Sequence, residues 1–424
     1  MKKWISLVLA AAVTASAFTI PAAAEEAPEV TLTYWGWDSN FYEPMMAAYS
    51  ELHPNVHFEP TATEWGDMLT KAQQALASGS DLPTLIPMDR TLIGNWKKMD
   101  ILEDLTPYGV NRDDYNQALI DLATTEDGAI IGLFENVCPS AIAYKRDLAE
   151  QYLGTSDPAE LQEMFKTYED YYTKGAEVAE ASNGEVFLFH SGQTVSEWYY
   201  FASDIANLDG DKINATAKYT DVFEKLIALR DAGACDTYQN GTPEANATYA
   251  GKNHIMYPCP DWALTYYIES NDPDGSGNWG LIHAPVDYQA GGTALGITKS
   301  ATDEQKAAAY DFIHFCISDP EGAAIMRDTA GYITSDETIA TEEFCVRDDE
   351  EFFAGQEISK MYYLEIAPTT EIAPATPYDN DMVTVRNDVA QLLMDDPSMT
   401  LEDAVAAAIE ELSQLITDDT VTIE

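Results

Sequence analysis

The feature that most limits the architectures open to this chain lies between Val30 and Ile86, where two hydrophobic periods alternate. Val30-Thr31-Leu32-Thr33-Tyr34-Trp35 is a β-rich run with a period of two. Phe41, Met45, Ala48 and Leu52 then fall on one face of a helix, and His53-Pro54-Asn55 breaks it. Val56-His57-Phe58 reads as a second strand. Trp65, Leu69, Ala72 and Leu76 repeat the helical spacing until Ser78-Gly79-Ser80 ends it, and Thr84-Leu85-Ile86 forms a third strand. Strand–helix–strand–helix–strand with short connections demands parallel pairing through right-handed crossovers. The fold class is therefore α/β.

The rest of the chain continues the alternation. Ile130–Phe134 and Val186–Phe189 read as strands, and a long helix runs from Ala159 to about Glu180, with Asp157-Pro158 as cap and first turn. A further helix covers 221–230. Thr302 and Gln305 make a capping box for the helix carrying Ala307, Tyr310, Ile313 and Ile317. The C-terminal part is helical, and Pro368 to Pro377 is an ordered loop. No internal repeat is visible.

Residues 1–24 are set aside as a cleavable export signal. Lys2 and Lys3 precede an apolar stretch to Ile20, and Ala22-Ala23-Ala24 supplies a small-residue cleavage site. No cysteine stands near it for lipid attachment, so the expected location is periplasmic or extracellular, without stable membrane insertion. About 400 remaining residues suggest two domains of ~150–200 residues. The charge is extreme, with 22 basic against 73 acidic residues and a net of −51. Such a surface repels nucleic acid and anionic membranes. Five cysteines, Cys138, Cys235, Cys259, Cys316 and Cys345, leave at least one unpaired within the chain. A Cys235–Cys259 bridge is open to it, and most are expected to be buried small hydrophobes.

The motifs of catalysis and cofactor binding fail on context. Gly275-Ser276-Gly277-Asn278-Trp279-Gly280 matches the dinucleotide fingerprint, but a turn precedes it and a strand-like Leu281-Ile282 follows. The fingerprint needs the reverse, a strand before and a helix after. Asp272 and Asp274 suggest a calcium loop whose twelfth position holds His283 instead of Glu. No helical histidine pair for zinc and no G-x-S-x-G elbow occurs. With 73 acids, some carboxylate pair always has glycosidase spacing, which carries no information. No catalytic residue, metal or cofactor is assigned.

Aromatic residues stand where elements end. Trp35 and Trp37 follow the first strand, Trp65 opens the second helix, Trp198 follows Val186–Phe189, and Trp262 follows the strand-like 254–257. In an open α/β sheet, strand ends form the ligand crevice. Each tryptophan alone is as readily core; together they suggest faces that stack on a pyranose while Asp, Asn and Gln bond its hydroxyls.

Five segments carry a resemblance. They are Leu32-Thr33-Tyr34-Trp35-Gly36-Trp37; Ala75 to Thr84, through Ala77-Ser78-Gly79; Ala143-Tyr144-Lys145-Arg146-Asp147-Leu148; Tyr249 to Met256 with Trp262 beyond; and Gly291 to Lys299 with Ser318-Asp319-Pro320-Glu321. In this order and spacing the chain resembles the extracellular solute-binding proteins of ABC sugar importers, the maltose-binding-protein-like group. It departs from their pattern at Thr84, where Asp is usual, and at Lys145, where Asn is usual. The resemblance implies a type II periplasmic-binding-protein fold with two lobes, each a mainly parallel sheet flanked by helices. One lobe would comprise 30–137 with 286–332, the other 138–285 with 333–424.

Carried over residue by residue, the resemblance implies a cleft lined by Trp37, Asp38, Trp65 and Asp89 from the first lobe. Tyr144, Trp198 and Trp262 would face it from the second, with Gly291 and Gly292 at the mouth. It further implies a monomer that captures a carbohydrate without chemistry and presents it to the membrane permease subunits of an ABC transporter. Three other readings stay open: the same fold taking a non-sugar solute such as a polyamine, a secreted glycosidase, and a surface adhesin or sensor subunit with no transport role.

Overall fold

The computed structural model describes residues 28–346 and 350–424; the proposed export segment at 1–24 lies outside them. The predicted alternation opens the chain. Strand β1 (Val30–Gly36) leads to helix α1 (Ser39–Leu52), β2 (Val56–Ala62), α2 (Met68–Ser78) and β3 (Leu85–Asp89). Gly79 in the left-handed conformation (φ 69°) caps α2, which needs no Cβ there. β1 pairs in parallel with β2 along its whole length, Val30 opposite Val56 and Gly36 opposite Ala62, and with β3 at Tyr34 and Leu85.

Beyond β3 come β4 (Leu133–Phe134) and β5 (Pro139–Lys145), then β6 (Met256–Pro260), β7 (Trp279–Ile282), β8 (Tyr288–Gln289) and β9 (Thr293–Ile297). They divide between two sheets. The first has the order β2-β1-β3-β9-β4, with β9 antiparallel to both neighbours. The second is built around β5, which pairs with β6, β7 and β8. Those three ladders are antiparallel, contrary to the parallel pairing expected there, because the chain returns along β5 each time. Parallel pairing in this lobe is found in two bridges, Phe187 with His254 and Phe189 with Cys235, and in a short ladder of Thr422–Ile423 with Lys212–Ile213. β8 belongs to the second sheet, so the chain regains the first only after Gln289, not at residue 286.

Helices cover both faces of each sheet. In the second lobe the long helix expected over 159–180 is two, α3 (Pro158–Met164) and α4 (Tyr168–Ser182); a capping box between Thr167 and Asp170 restarts it. α5 (Gly192–Phe201) and α6 (Ala215–Asp231) follow. α7 (Asp303–Ser318), opened by the predicted Thr302–Gln305 box, and α8 (Pro320–Ala330) pack on the first sheet. α9 (Asp379–Asp395) and α10 (Leu401–Leu415) return to the second. The first sheet has one apolar cluster around Leu32, Tyr49 and Phe312 and another around Met88, Trp96 and Leu119. The second is enclosed by clusters around Trp198 and Leu226 on one face and Tyr257 and Trp279 on the other. This is the type II binding-protein architecture.

All five cysteines are buried and unpaired. Gly275–Gly280 is a turn running into β7, and Asp272 is occupied by the indole N–H of Trp279 at 2.8 Å. Among the described residues no helix is long and apolar enough to cross a membrane.

Candidate functional site

The chain crosses between the sheets near residues 135–138, 290–292 and 332, and these crossings lie side by side. They line a cavity of about 430 Å³ between the two lobes, with Glu135, Asn136, Cys138, Gly291, Gly292 and Tyr332 among its wall residues.

From the first lobe, Trp37 and Asp38 enter the wall from the turn after β1. Asp38 caps α1 by accepting the Phe41 N–H at 3.1 Å. Its carboxylate also accepts the Tyr332 hydroxyl at 2.9 Å and the Tyr266 hydroxyl from the opposite lobe. Burial raises its pKa, and these donors oppose the rise. Trp65, in a short turn before α2, is partly exposed. Asp89 ends β3 and accepts the Thr91 N–H at 2.8 Å and the Thr91 hydroxyl at 2.5 Å; burial raises it too.

From the second lobe, α5 supplies Glu197 and Phe201, one helical turn apart, and α9 supplies Val383 and Asn387 with the same spacing. Arg386 reaches Glu197 at 3.4 Å from behind the wall. The segment after β6 supplies Trp262, Tyr266 and Tyr267. Residues Leu264–Glu269 form a π-helical turn, a wider coil than an α-helix, and both tyrosines reach the cavity from it. Asp261 fixes the start of this segment. Its carboxylate accepts the Trp262 N–H and the Tyr363 hydroxyl, each at 2.7 Å, and burial pushes it up to about 6. The Trp262 indole N–H donates to the Ala290 carbonyl at 2.9 Å, tying the ring to the crossing strand.

Seven of the nine residues named from the sequence thus come together: Trp37, Asp38, Trp65, Asp89, Trp262, Gly291 and Gly292. Tyr144 and Trp198 do not join them. β5 begins beside Cys138 at the cavity, and six residues of extended chain carry Tyr144 about 20 Å away from it. There its hydroxyl donates to the Ser156 carbonyl at 2.9 Å within the lobe. Lys145 beside it is buried, donating to the Thr248 and Gly251 carbonyls at 2.7 Å, and burial lowers it to about 7. Trp198 is fully buried among Tyr168, Tyr171, Phe189 and Tyr199. Its neighbour Glu197 faces the cavity in its place. Sequence reasoning missed Glu135, Asn136, Glu197, Asn240, Tyr266, Tyr267, Tyr332 and Asn387. The helical spacing of Glu197 with Phe201 was a usable signal for one of them.

The same architecture occurs in solved structures. An extracellular solute-binding protein family 1 structure is 21% identical, with a TM-score of 0.78 over 91% of this chain and 99% of that one. The galacto-N-biose/lacto-N-biose I-binding protein of a Bifidobacterium longum ABC transporter is 18% identical, with a TM-score of 0.73 over 94% and 100%. The sugar-binding protein MalE from Xanthomonas citri is 16% identical, with a TM-score of 0.70 over 91% and 98%. At these identities the likeness speaks for the fold. The sequence itself matches the profile of the bacterial extracellular solute-binding proteins over residues 44–354. The chain belongs to the bacterial extracellular solute-binding protein family.

Proposed function

We propose that this protein captures a sugar or oligosaccharide in the interlobe cavity and delivers it to the permease of an ABC transporter, without chemical turnover. The observation that carries the reading is the placement of Trp262. Its indole is tethered to the crossing strand at Ala290, and it shares one wall with Tyr266 and Tyr267 while Trp37 and Trp65 stand on the other. Indole and phenol faces match the C–H faces of a pyranose, and Asp38, Asp89, Asn240 and Asn387 around them are partners for its hydroxyls. Solved relatives of the same fold are named for sugars or sugar analogues they bind, among them lacto-N-biose and cycloalternan, which supports a saccharide here.

Capture follows from two lobes joined by adjacent crossings. Ligand shifts an open–closed equilibrium by its differential affinity for the closed form. At free sugar a hundredfold above the dissociation constant, stability should rise by about 2.7 kcal/mol. A thermal-shift panel of mono- and oligosaccharides is expected to pick out one or a few ligands, and Trp262→Ala to abolish that shift while keeping a cooperative transition. A broad panel giving no shift, or reducing-end release from an oligosaccharide that one Asp or Glu substitution abolishes, would overturn the reading.

A further inference from the structure

Among the described residues the cavity wall carries four carboxylates, Asp38, Asp89, Glu135 and Glu197, and no lysine or arginine. Three of them are engaged: Asp38 by two phenols and a backbone N–H, Asp89 by Thr91, and Glu197 by Arg386. Glu135 differs. It is 3% exposed, and its Oε2 finds no hydrogen-bond partner in the protein. The side-chain oxygen of Asn136, 2% exposed and in the same wall, has none either.

Among the described residues, Asp38, Tyr34, Tyr266, Tyr332, Cys138 and Cys316 interact electrostatically with Glu135, and none of them is basic. A carboxylate buried among acids and phenols is very unfavourable without a counter-charge. Burial and the nearby Asp38 carboxylate accordingly hold the Glu135 carboxyl well above the usual range, which favours its protonated form when no cation lies beside it.

We propose that the captured saccharide carries a basic nitrogen, and that its ammonium seats against Glu135 and Asn136. This rests on the sugar-capture reading and narrows it to amino sugars. An ammonium brings three donors to a place with two unmatched acceptors, and the positive charge that the wall lacks. The aromatic faces of Trp262 and Tyr266 in the same wall favour a cation as well as a sugar ring. Among the described residues no group of three or more His, Cys, Asp or Glu is placed to hold a metal ion. Binding then includes a proton step. The ammonium enters with its charge, the Glu135 carboxyl gives its proton to solvent, and an ammonium–carboxylate pair remains. A sugar with a hydroxyl or acetamido group at that place leaves the Glu135 proton where it is.

The test is titration calorimetry on the full chain at pH 7 in two buffers of different ionisation enthalpy. The ligands are mono- and disaccharides, each in amino, N-acetylamino and hydroxyl versions at one carbon, with spermidine as a sugar-free amine. An amino version is expected to bind at least about tenfold tighter than its two counterparts and to release about one proton. In Glu135→Gln the preference and the proton release should both vanish. Proton release by the unmodified protein reads the inference even if that variant fails to fold. A neutral sugar that binds as tightly as its amino version, without proton release, overturns the amino-sugar inference and leaves sugar capture standing. Spermidine preferred over every saccharide overturns both.

Discussion

Gly291 and Gly292 sit side by side in the crossing strand with φ of 94° and 113°, a region where a Cβ is strained by about 1–2 kcal/mol. Only at Gly291 would that Cβ also meet the Trp262 indole nitrogen, at 2.6 Å. At Gly292 the nearest atom is a Phe134 ring carbon at 3.4 Å. Gly291→Ala and Gly292→Ala should therefore lose similar stability in urea unfolding, by about 1–2 kcal/mol. Only Gly291→Ala should also weaken ligand binding, by about tenfold, because it displaces the tethered ring. Equal binding losses in the two variants would show that Trp262 is not held by this packing. The same scale explains what could be seen from sequence. Trp37 was legible because a strand end in an α/β sheet points a short loop at the crevice, whereas Asp38 and Asp89 came only with the family resemblance. Trp198 misled because size and aromaticity do not distinguish a core ring from a cleft ring. On α5 the helical turn buries Trp198 and turns the less conspicuous Glu197 and Phe201 to the cavity.

At the scale of elements, the π-helical turn at Leu264–Glu269 sets the second wall. An α-helix from Trp262 would place Tyr266 one turn on and rotate Tyr267 away by about 100°. The wider coil lets both line the cavity. No residue pattern announces such a turn, which is why the tyrosines went unnoticed while Trp262 did not. Tyr266 also makes the bond to Asp38 that spans the two lobes. A hydrogen bond to a charged group contributes about 1.5–3 kcal/mol, and this one exists only while the lobes are together. Tyr266→Phe is expected to raise the ligand-free radius of gyration in solution scattering and to weaken ligand binding about tenfold, with Trp262 unchanged in fluorescence. An unchanged radius and affinity would assign the bond no role in closure.

For the whole molecule, local periodicity was enough to reveal an α/β class, since β1 through β3 and their helices are consecutive in the chain. It could not reveal where later strands insert. β9 lies between β3 and β4, some 200 residues after the former, and the antiparallel character of the second sheet likewise depends on distant partners. Order and spacing of five loose motifs supplied the two-lobe arrangement that periodicity could not.

That late insertion has a consequence for how the molecule comes into being. Until Thr293–Ile297 has been made, β3 and β4 both lack their shared neighbour, and the first lobe has a gap in the middle of its sheet. Closing so long a loop is entropically slow, and unpaired strand edges invite association meanwhile. A chain ending at Ala290 should accordingly show no cooperative thermal transition in its first lobe, and one extended through Tyr332 should regain it. A cooperative first lobe in the shorter chain would mean that β9 is dispensable. The half of the protein that is synthesised first is thus among the last to become native, and its third strand waits, still pliable, for a partner from the far side of the sequence.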